Sequence, residues 1–289
     1  MTGCFLSYLP TRLFGHCNRI EFVLGKPPRK LLTSKRLATL LVLMPKPQKF
    51  PWTDLEIERQ VRAAVRAYWR GRSGQASRQK GLGVVADYGS RSEVTGGQHL
   101  GAFTELLCEL IRKAGFTSDE LRFKSRVELP GFYRPTKKWD VVVVRGNRLC
   151  AAIELKSQVG PSFGNNFNNR TEEAVGSSID LWRAFKEGIL GAHAPWLGYF
   201  FFLEDAETST RPVGIAKTPF RVDPVFAGTS YADRYRILCQ RMVLERHYNG
   251  ATLLLAPRGR TGRFSEPEPD LRIASFLKAL YGNLIGCSE

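Results

Sequence analysis

Residues 138–158 read KWDVVVVRGNRLCAAIELKSQ. The β-branched run Val141–Val144, the turn-forming Arg145-Gly-Asn-Arg148 and the apolar run Leu149–Lys156 predict a β-hairpin. Side chains alternate faces along a strand, so Glu154 and Lys156 point one way and Leu155 the other. Asp140 opens the first strand, where a short hairpin brings it towards Glu154. Two carboxylates and an ammonium therefore converge on strands otherwise fit for burial. Left unpaired, each such charge costs on the order of several kcal/mol, so something must compensate it.

A hard divalent cation would do so. Mg²⁺ takes oxygen ligands from one or two carboxylates, keeps several waters and favours sites shared with phosphate. There it would polarise a phosphodiester and activate water, with Asp140 and Glu154 as its ligands and Lys156 steadying the developing charge. The competing reading is a plain surface salt bridge between Glu154 and Lys156. An acid-x-Lys triplet carries little information by itself, since about one is expected by chance at this composition. Its weight comes from the strand end, the acid on the partner strand and the charge balance.

That balance is 43 Lys and Arg against 27 Asp and Glu, a net charge of +16, and 29 of the basic residues are Arg. A surplus rich in planar, bidentate donors suits a polyanion and points to nucleic acid. The six cysteines form no C-x-x-C pair, and Cys108 and Cys150 lie in apolar runs. They read as reduced thiols of a cytoplasmic protein. Scattered histidines leave no legible zinc site, and no P-loop is present. Arg12, Arg19 and Glu21 interrupt the apolar N-terminal run, so neither a membrane span nor a secretory signal is expected.

Residues 1–43 are basic with little periodicity and read as an extension, disordered or arising from an overlong start. A single domain is expected over 44–289. Thr53-Asp-Leu-Glu56 matches a capping box, followed by Ile57, Val61, Val65 and Tyr68 at helical spacing. Arg59, Arg62, Arg66 and Arg70 line another face, either as a solvated row or as a phosphate grip. Gly71–Gly97 reads as loops, and Leu100–Ala114 as a helix with Phe103, Leu106, Leu107, Leu110 and Ile111 inward. After the hairpin, VGPSFGNNFNNR (159–170) reads as a loop. A helix from about Thr171 to Lys186 follows, with Val175, Ile179 and Trp182 as its buried stripe and Glu172 and Glu173 at its positive end. WLGYFFFLED (196–205) and ATLLLA (251–256) read as buried strands. Ser230–Arg246 reads as a helix with a Ser-x-x-Asp cap, 257–270 as a mobile linker, and Leu271–Leu284 as a closing helix. Alternating helices and strands give an α/β architecture, a central sheet covered by helices.

Two readings stand for the Asn-rich segment. Asn165, Asn166, Asn168, Asn169 and Arg170 follow the charged strand directly and could read bases, since Asn pairs bidentately with adenine and Arg with guanine. Equally, Asn tolerates left-handed turn geometry and caps helices.

The Asp…Glu-x-Lys hairpin resembles the PD-(D/E)xK nuclease core, with Trp139 where proline often stands. LPGFYRPTKKWDVVV (129–143), AAIELKSQVGPSFGNNFNNRTEEAVG (151–176) and EGILG (187–191) resemble the XhoI family of type II restriction endonucleases. Weaker echoes extend the likeness over about 50–245. The resemblance implies a restriction-endonuclease-like core with a central mixed β-sheet flanked by helices. It also implies a Mg²⁺-dependent homodimer that cuts double-stranded DNA at the palindrome CTCGAG, after the first C, leaving 5′ overhangs. Carried over by motif, Asp140 and Glu154 become metal ligands and Lys156 the catalytic lysine, and a protecting DNA methyltransferase is the expected partner. Such nucleases often add an acid from an early helix, which makes Glu105 and Glu109 candidates, although both lie off the apolar stripe. A structure-selective or repair nuclease on the same core, and a DNA-binding protein with a purely structural hairpin, are the alternatives.

Overall fold

The capping box at Thr53 forms as the spacing requires. The Thr53 amide donates to Glu56 Oε2 at 2.7 Å and the Glu56 amide donates to Thr53 Oγ1 at 3.3 Å. The computed structural model describes residues 49–81 and 99–287, and the expected extension over 1–43 lies outside them. From this cap α1 runs over Asp54–Gly81 and buries Ile57, Val61, Val65 and Tyr68. It continues through Gly71–Gly81, where loop was expected. That stretch contains no proline and no β-branched residue, and its Arg, Gln, Ala and Lys favour helix enough to carry the glycines. The rest of the expected loop is outside the described residues.

Next come α2 (Gly101–Lys113), β1 (Leu121–Arg122) and a small hairpin of β2 (Glu128–Pro130) with β3 (Thr136–Lys138). The central hairpin is β4 (Val141–Arg145) and β5 (Arg148–Gln158), paired antiparallel as its sequence indicates. It is followed by α3 (Phe163–Lys186), β6 (Trp196–Glu204), a single turn α4 (Glu207–Thr210), α5 (Tyr231–Leu244), β7 (Gly250–Ala256) and α6 (Ile273–Gly286). The Ser230 cap of α5 is reciprocal with Asp233, again as read from the sequence.

Five strands form one sheet in the order β1-β4-β5-β6-β7. The pairs β1/β4 and β4/β5 are antiparallel, while β5/β6 and β6/β7 are parallel. Alternation then sorts the core into two layers. Ile153, Leu155, Phe200 and Phe202 pack towards α1, α2 and α6, whereas Ala152, Tyr199, Phe201 and Leu203 pack towards α3 and α5. Each buried Leu, Ile or Phe among them contributes roughly 1.5–3 kcal/mol. Glu154 and Lys156, alternating with Leu155, therefore face the α3/α5 layer. This is the mixed, helix-flanked α/β sheet expected of the fold class, and Gln48–Glu289 clusters as one compact unit.

Three segments depart from the sequence reading. Helix α3 starts at Phe163 rather than near Thr171, so the Asn-rich stretch is helical. Burial of Phe163, with Phe167 packed one turn on, overrides the weak helix preference of Asn. The Asn166 amide group also donates to the Ser162 carbonyl at 2.6 Å. Glu172 and Glu173 consequently lie in the third turn, not at the positive end. The buried face of α3 is made of Ala174, Ser177, Ser178, Leu181 and Ala184, while Ile179 is exposed. Small residues let the helix approach until Tyr248 Oη donates to the Ala174 carbonyl at 3.0 Å and Trp182 Nε1 to the His247 carbonyl at 2.8 Å.

The third departure is 257–270, which is docked rather than mobile. Leu255 and Ser265 exchange backbone hydrogen bonds at 2.9 and 2.8 Å. Arg66 donates to the Thr261 carbonyl and Arg62 lies over the Phe264 ring. Two residues of the basic row on α1 thus hold this segment in place.

Candidate active site

The two strands of the central hairpin place Asp140 and Glu154 beside each other. The Asp140 amide donates to the Ile153 carbonyl at 3.2 Å, and Asp140 Oδ2 accepts from the Leu155 amide at 2.7 Å. Burial and the neighbouring Glu154 charge push the Asp140 carboxyl up to about 6. Ionising it in this site is unfavourable without added positive charge.

Glu154 is buried, and each of its oxygens meets a lysine. Lys156 Nζ lies 2.6 Å from Oε1, and Lys137 Nζ, from β3, lies 2.5 Å from Oε2. Burial alone would raise the Glu154 carboxyl, but Lys156 and Lys137 outweigh it and hold the group below the ordinary carboxylate value. For Lys156 burial acts to lower the ammonium, and the Glu154 charge overcomes it and raises the group. Lys156 is therefore a charged donor here, suited to stabilising negative charge rather than to accepting a proton. The Lys137 ammonium also sits 4.3 Å from the centre of the Trp139 ring.

Helix α3 closes the other side. Glu173 Oε2 stands 3.6 Å from Lys156 Nζ and is itself paired with Arg170. Gln158, next on the same face of β5, donates from Nε2 to the Ser162 and Phe163 carbonyls at 3.2 and 3.1 Å and so ties the strand to the first turn of α3.

Asp140, Glu154 and Lys156 are thus brought together, and Arg170 joins them through Glu173. Asn165, Asn168 and Asn169 are exposed on the first turns of α3, and Asn166 is turned back onto Ser162. Glu105 and Glu109 do not join the cluster. They lie exposed on α2, in the opposite layer, 3.8 and 3.9 Å from Arg112 and Lys113 of their own helix. Sequence reasoning missed Lys137 and Glu173. Lys137 did leave a signal, since period-two spacing puts it on the same side as Trp139 next to the first acid. The inward orientation of Glu173 depends on α3 starting at Phe163 rather than at Thr171.

Two hard oxygen donors at the end of a β-hairpin, one held ionised and one whose charge needs relief, fit a divalent cation. Among the described residues no group of three or more His, Cys, Asp or Glu side chains could enclose a metal unaided. A cation here would share its shell with water and phosphate, as Mg²⁺ does.

Comparison with known proteins meets this geometry. The family model for restriction endonuclease XhoI matches residues 78–266, which include the whole cluster and most of the docked segment. The chain belongs to the XhoI restriction endonuclease family. Among curated members, it is 46% identical over 202 residues to the type II restriction enzyme BstVI of Geobacillus stearothermophilus, covering 67% of this chain and 90% of that enzyme. It is 44% identical over 193 residues to XhoI of Xanthomonas vasicola, covering 66% of this chain and 77% of that enzyme. It is 42% identical over 158 residues to AbrI of Azospirillum brasilense, covering 54% and 70%. No solved structure matches significantly. As a member of the XhoI family the chain is a type II restriction enzyme, a site-specific deoxyribonuclease. The match extends past the region where the resemblance was legible, to Glu266, in keeping with the docking of 257–266 onto α1. No helix among the described residues is long and apolar enough to cross a membrane.

Proposed function

We propose that this enzyme cuts double-stranded DNA at CTCGAG, after the first C, by Mg²⁺-dependent hydrolysis centred on Asp140, Glu154 and Lys156. The observation that carries the reading is the meeting of these three side chains within the family-matched region, with Lys156 2.6 Å from Glu154. Mg²⁺ would be held by the Asp140 and Glu154 carboxylates and would supply Lewis acidity towards the scissile phosphate and its attacking water. The chain's own residues do the rest. Glu154 keeps Lys156 charged and aimed, and the ammonium donates to the oxygen on which negative charge develops. The Leu155 amide holds one oxygen of Asp140, leaving the other for the cation. Glu173, fixed by Arg170, limits the swing of Lys156.

A palindromic site pairs with a two-fold homodimer, each protomer cutting one strand. We place the enzyme in the cytoplasm alongside a methyltransferase that protects the same sequence. The exposed Asn165, Asn168 and Asn169 at the start of α3 are the candidate base contacts, while Asn166 and Arg170 are committed within the protein. Asn168→Ala with unchanged sequence preference would remove that assignment. The catalytic unit is taken as 44–289, and a chain starting at Met44 that failed to fold or to cut would contradict it.

The reading is tested with plasmids that carry one CTCGAG or none, in Mg²⁺ or EDTA. Linear product from the first plasmid alone, in Mg²⁺ alone, is expected. Cutting of both plasmids indicates a nuclease of other selectivity on the same core, and retention without cutting indicates a binding protein.

A further inference from the structure

Lys137 has no place in the three-residue motif, yet it pairs directly with Glu154. Its side chain is only 12% exposed, and its ammonium takes the Glu154 oxygen that Lys156 leaves, at 2.5 Å. Lys138, the next residue on the same strand, is exposed and provides an internal comparison. Asp140 and Glu154 carry two negative charges when ionised, and Lys137 and Lys156 carry two positive ones. Glu173 and Arg170 cancel each other nearby. The free cluster is therefore neutral, as a buried cluster should be. A divalent cation bound to the same carboxylates leaves a surplus of positive charge, and an ammonium and a metal ion on one Glu154 oxygen would repel each other at close range. Lys137 has somewhere else to go, because its Nζ already lies 3.0 Å from the Lys138 carbonyl and over the Trp139 ring.

We propose that Lys137 is a positioning residue and the resident counter-cation of the cutting centre, occupying the Glu154 oxygen that a divalent cation requires and yielding it when that cation binds. This rests on the reading of Glu154 as a cation ligand. Lys137 holds the carboxylate ordered in the free enzyme, and its release ties the build-up of positive charge, and hence tight phosphate binding, to the presence of the metal. DNA is then gripped at the centre only when the centre is loaded.

The experiment follows binding of a labelled CTCGAG duplex by fluorescence anisotropy as Ca²⁺ is titrated, with Ca²⁺ as the oxygen-seeking probe. Lys137→Met is expected to lower the Ca²⁺ midpoint by at least about tenfold, the factor that one charge-assisted contact is worth. Lys138→Met is expected to shift it by less than about threefold, as an exposed charge should. Equal shifts in the two variants, or no Ca²⁺ response in any of the proteins, would overturn the proposal. Because Lys137→Met removes a buried partner, the wild-type chain supplies a second test. Pulse labelling with an amine-reactive ester should show Lys137 becoming more reactive as Ca²⁺ is added without DNA, and constant reactivity contradicts the proposal. Glu154→Gln separates the two levels. If the Ca²⁺ response survives in it, the cation binds elsewhere and the site reading fails. If that variant loses the response while Lys137→Met behaves like Lys138→Met, the lysine role alone fails.

Discussion

Asp140 Oδ2 accepts a hydrogen bond from the backbone amide of Leu155 at 2.7 Å. Leu155 stands between Glu154 and Lys156, so this one bond fixes the first acid of the site against the strand that carries the other two groups. It also separates two properties of Asp140. One oxygen is structural, and the charge is functional.

Asp140→Asn should therefore retain the fold and lose the reaction. The amide oxygen still accepts from Leu155, while the charge that opposes Glu154 disappears. Cleavage is expected to fall by about a thousandfold or more. The wild-type carboxyl is raised to about 6, chiefly by burial, so its ionisation opposes folding as pH rises above the ordinary value. The variant should then melt at an equal or higher temperature at pH 8, with any advantage gone at pH 4. Thermal melting beside a cleavage assay checks both parts, and a clear loss of stability at pH 8 would count against them.

Glu154→Gln should behave differently although it is equally inactive. It deprives Lys137 and Lys156 of a buried partner, with side chains only 12% and 23% exposed. Removing one member of such a cluster is expected to destabilise by roughly 3 kcal/mol. Of two inactivating substitutions on neighbouring acids, only Glu154→Gln is thus expected to lower stability at pH 8. Denaturant unfolding of the pair decides it, and parallel changes would contradict the charge assignment.

Asp180 anchors the β2–β3 tip. It accepts from the Phe132 and Tyr133 amides, each at 2.8 Å, and from Arg134 Nε at 2.7 Å. Asp180→Ala is expected to lose about 2–3 kcal/mol by leaving these donors without their acceptor. It should also lower cleavage, because the tip leads into the strand that carries Lys137. Gly131→Ala should reproduce the effect, since a Cβ there would lie 2.6 Å from Asp180 Oδ2 and 2.8 Å from the Arg134 carbonyl. Full activity in both variants would show that the tip is independent of the centre.

Glu120 secures the far end of the hairpin. Arg145 donates from Nε to Oε1 at 2.6 Å and from Nη2 to Oε2 at 3.1 Å. This pairing is the main cause that lowers the Glu120 carboxyl to about 2. A depressed acid stabilises the fold above its unfolded value, near 4.5, and that contribution is lost as pH falls towards 2. Wild type and Glu120→Gln should differ by on the order of 1 kcal/mol at pH 7, allowing for solvent screening, and converge near pH 2. A difference independent of pH would refute the linkage.

Much of the site was legible because it is local. Asp140, Glu154 and Lys156 sit on one hairpin, and alternation along β5 orients the last two without knowledge of the rest of the chain. The strands β6 and β7 and the cap of α5 are likewise short-range patterns. Elsewhere the deciding contacts are distant. Helix α3 begins at Phe163 because Phe163 is buried and Phe167 packs partly buried against other elements, which outweighs the turn preference of their Asn neighbours. The segment around Gly262 is docked because a residue without Cβ fits there. Gly262 has φ +72°, and a Cβ would lie 2.5 Å from the Arg62 carbonyl. Lys137 enters the site only when the β2–β3 hairpin lies close enough for its side chain to reach Glu154 on β5, a tertiary contact that spacing alone does not reveal.

Lys156 decides whether the hairpin is the cutting centre. Single-turnover cleavage of a labelled CTCGAG duplex is measured with enzyme in excess, for wild type and Lys156→Ala, and binding of the same duplex is measured in parallel with Ca²⁺. The expected result is cleavage slowed by at least about a hundredfold with binding still measurable. Cleavage at the wild-type rate would contradict the assignment of the cutting centre to this hairpin.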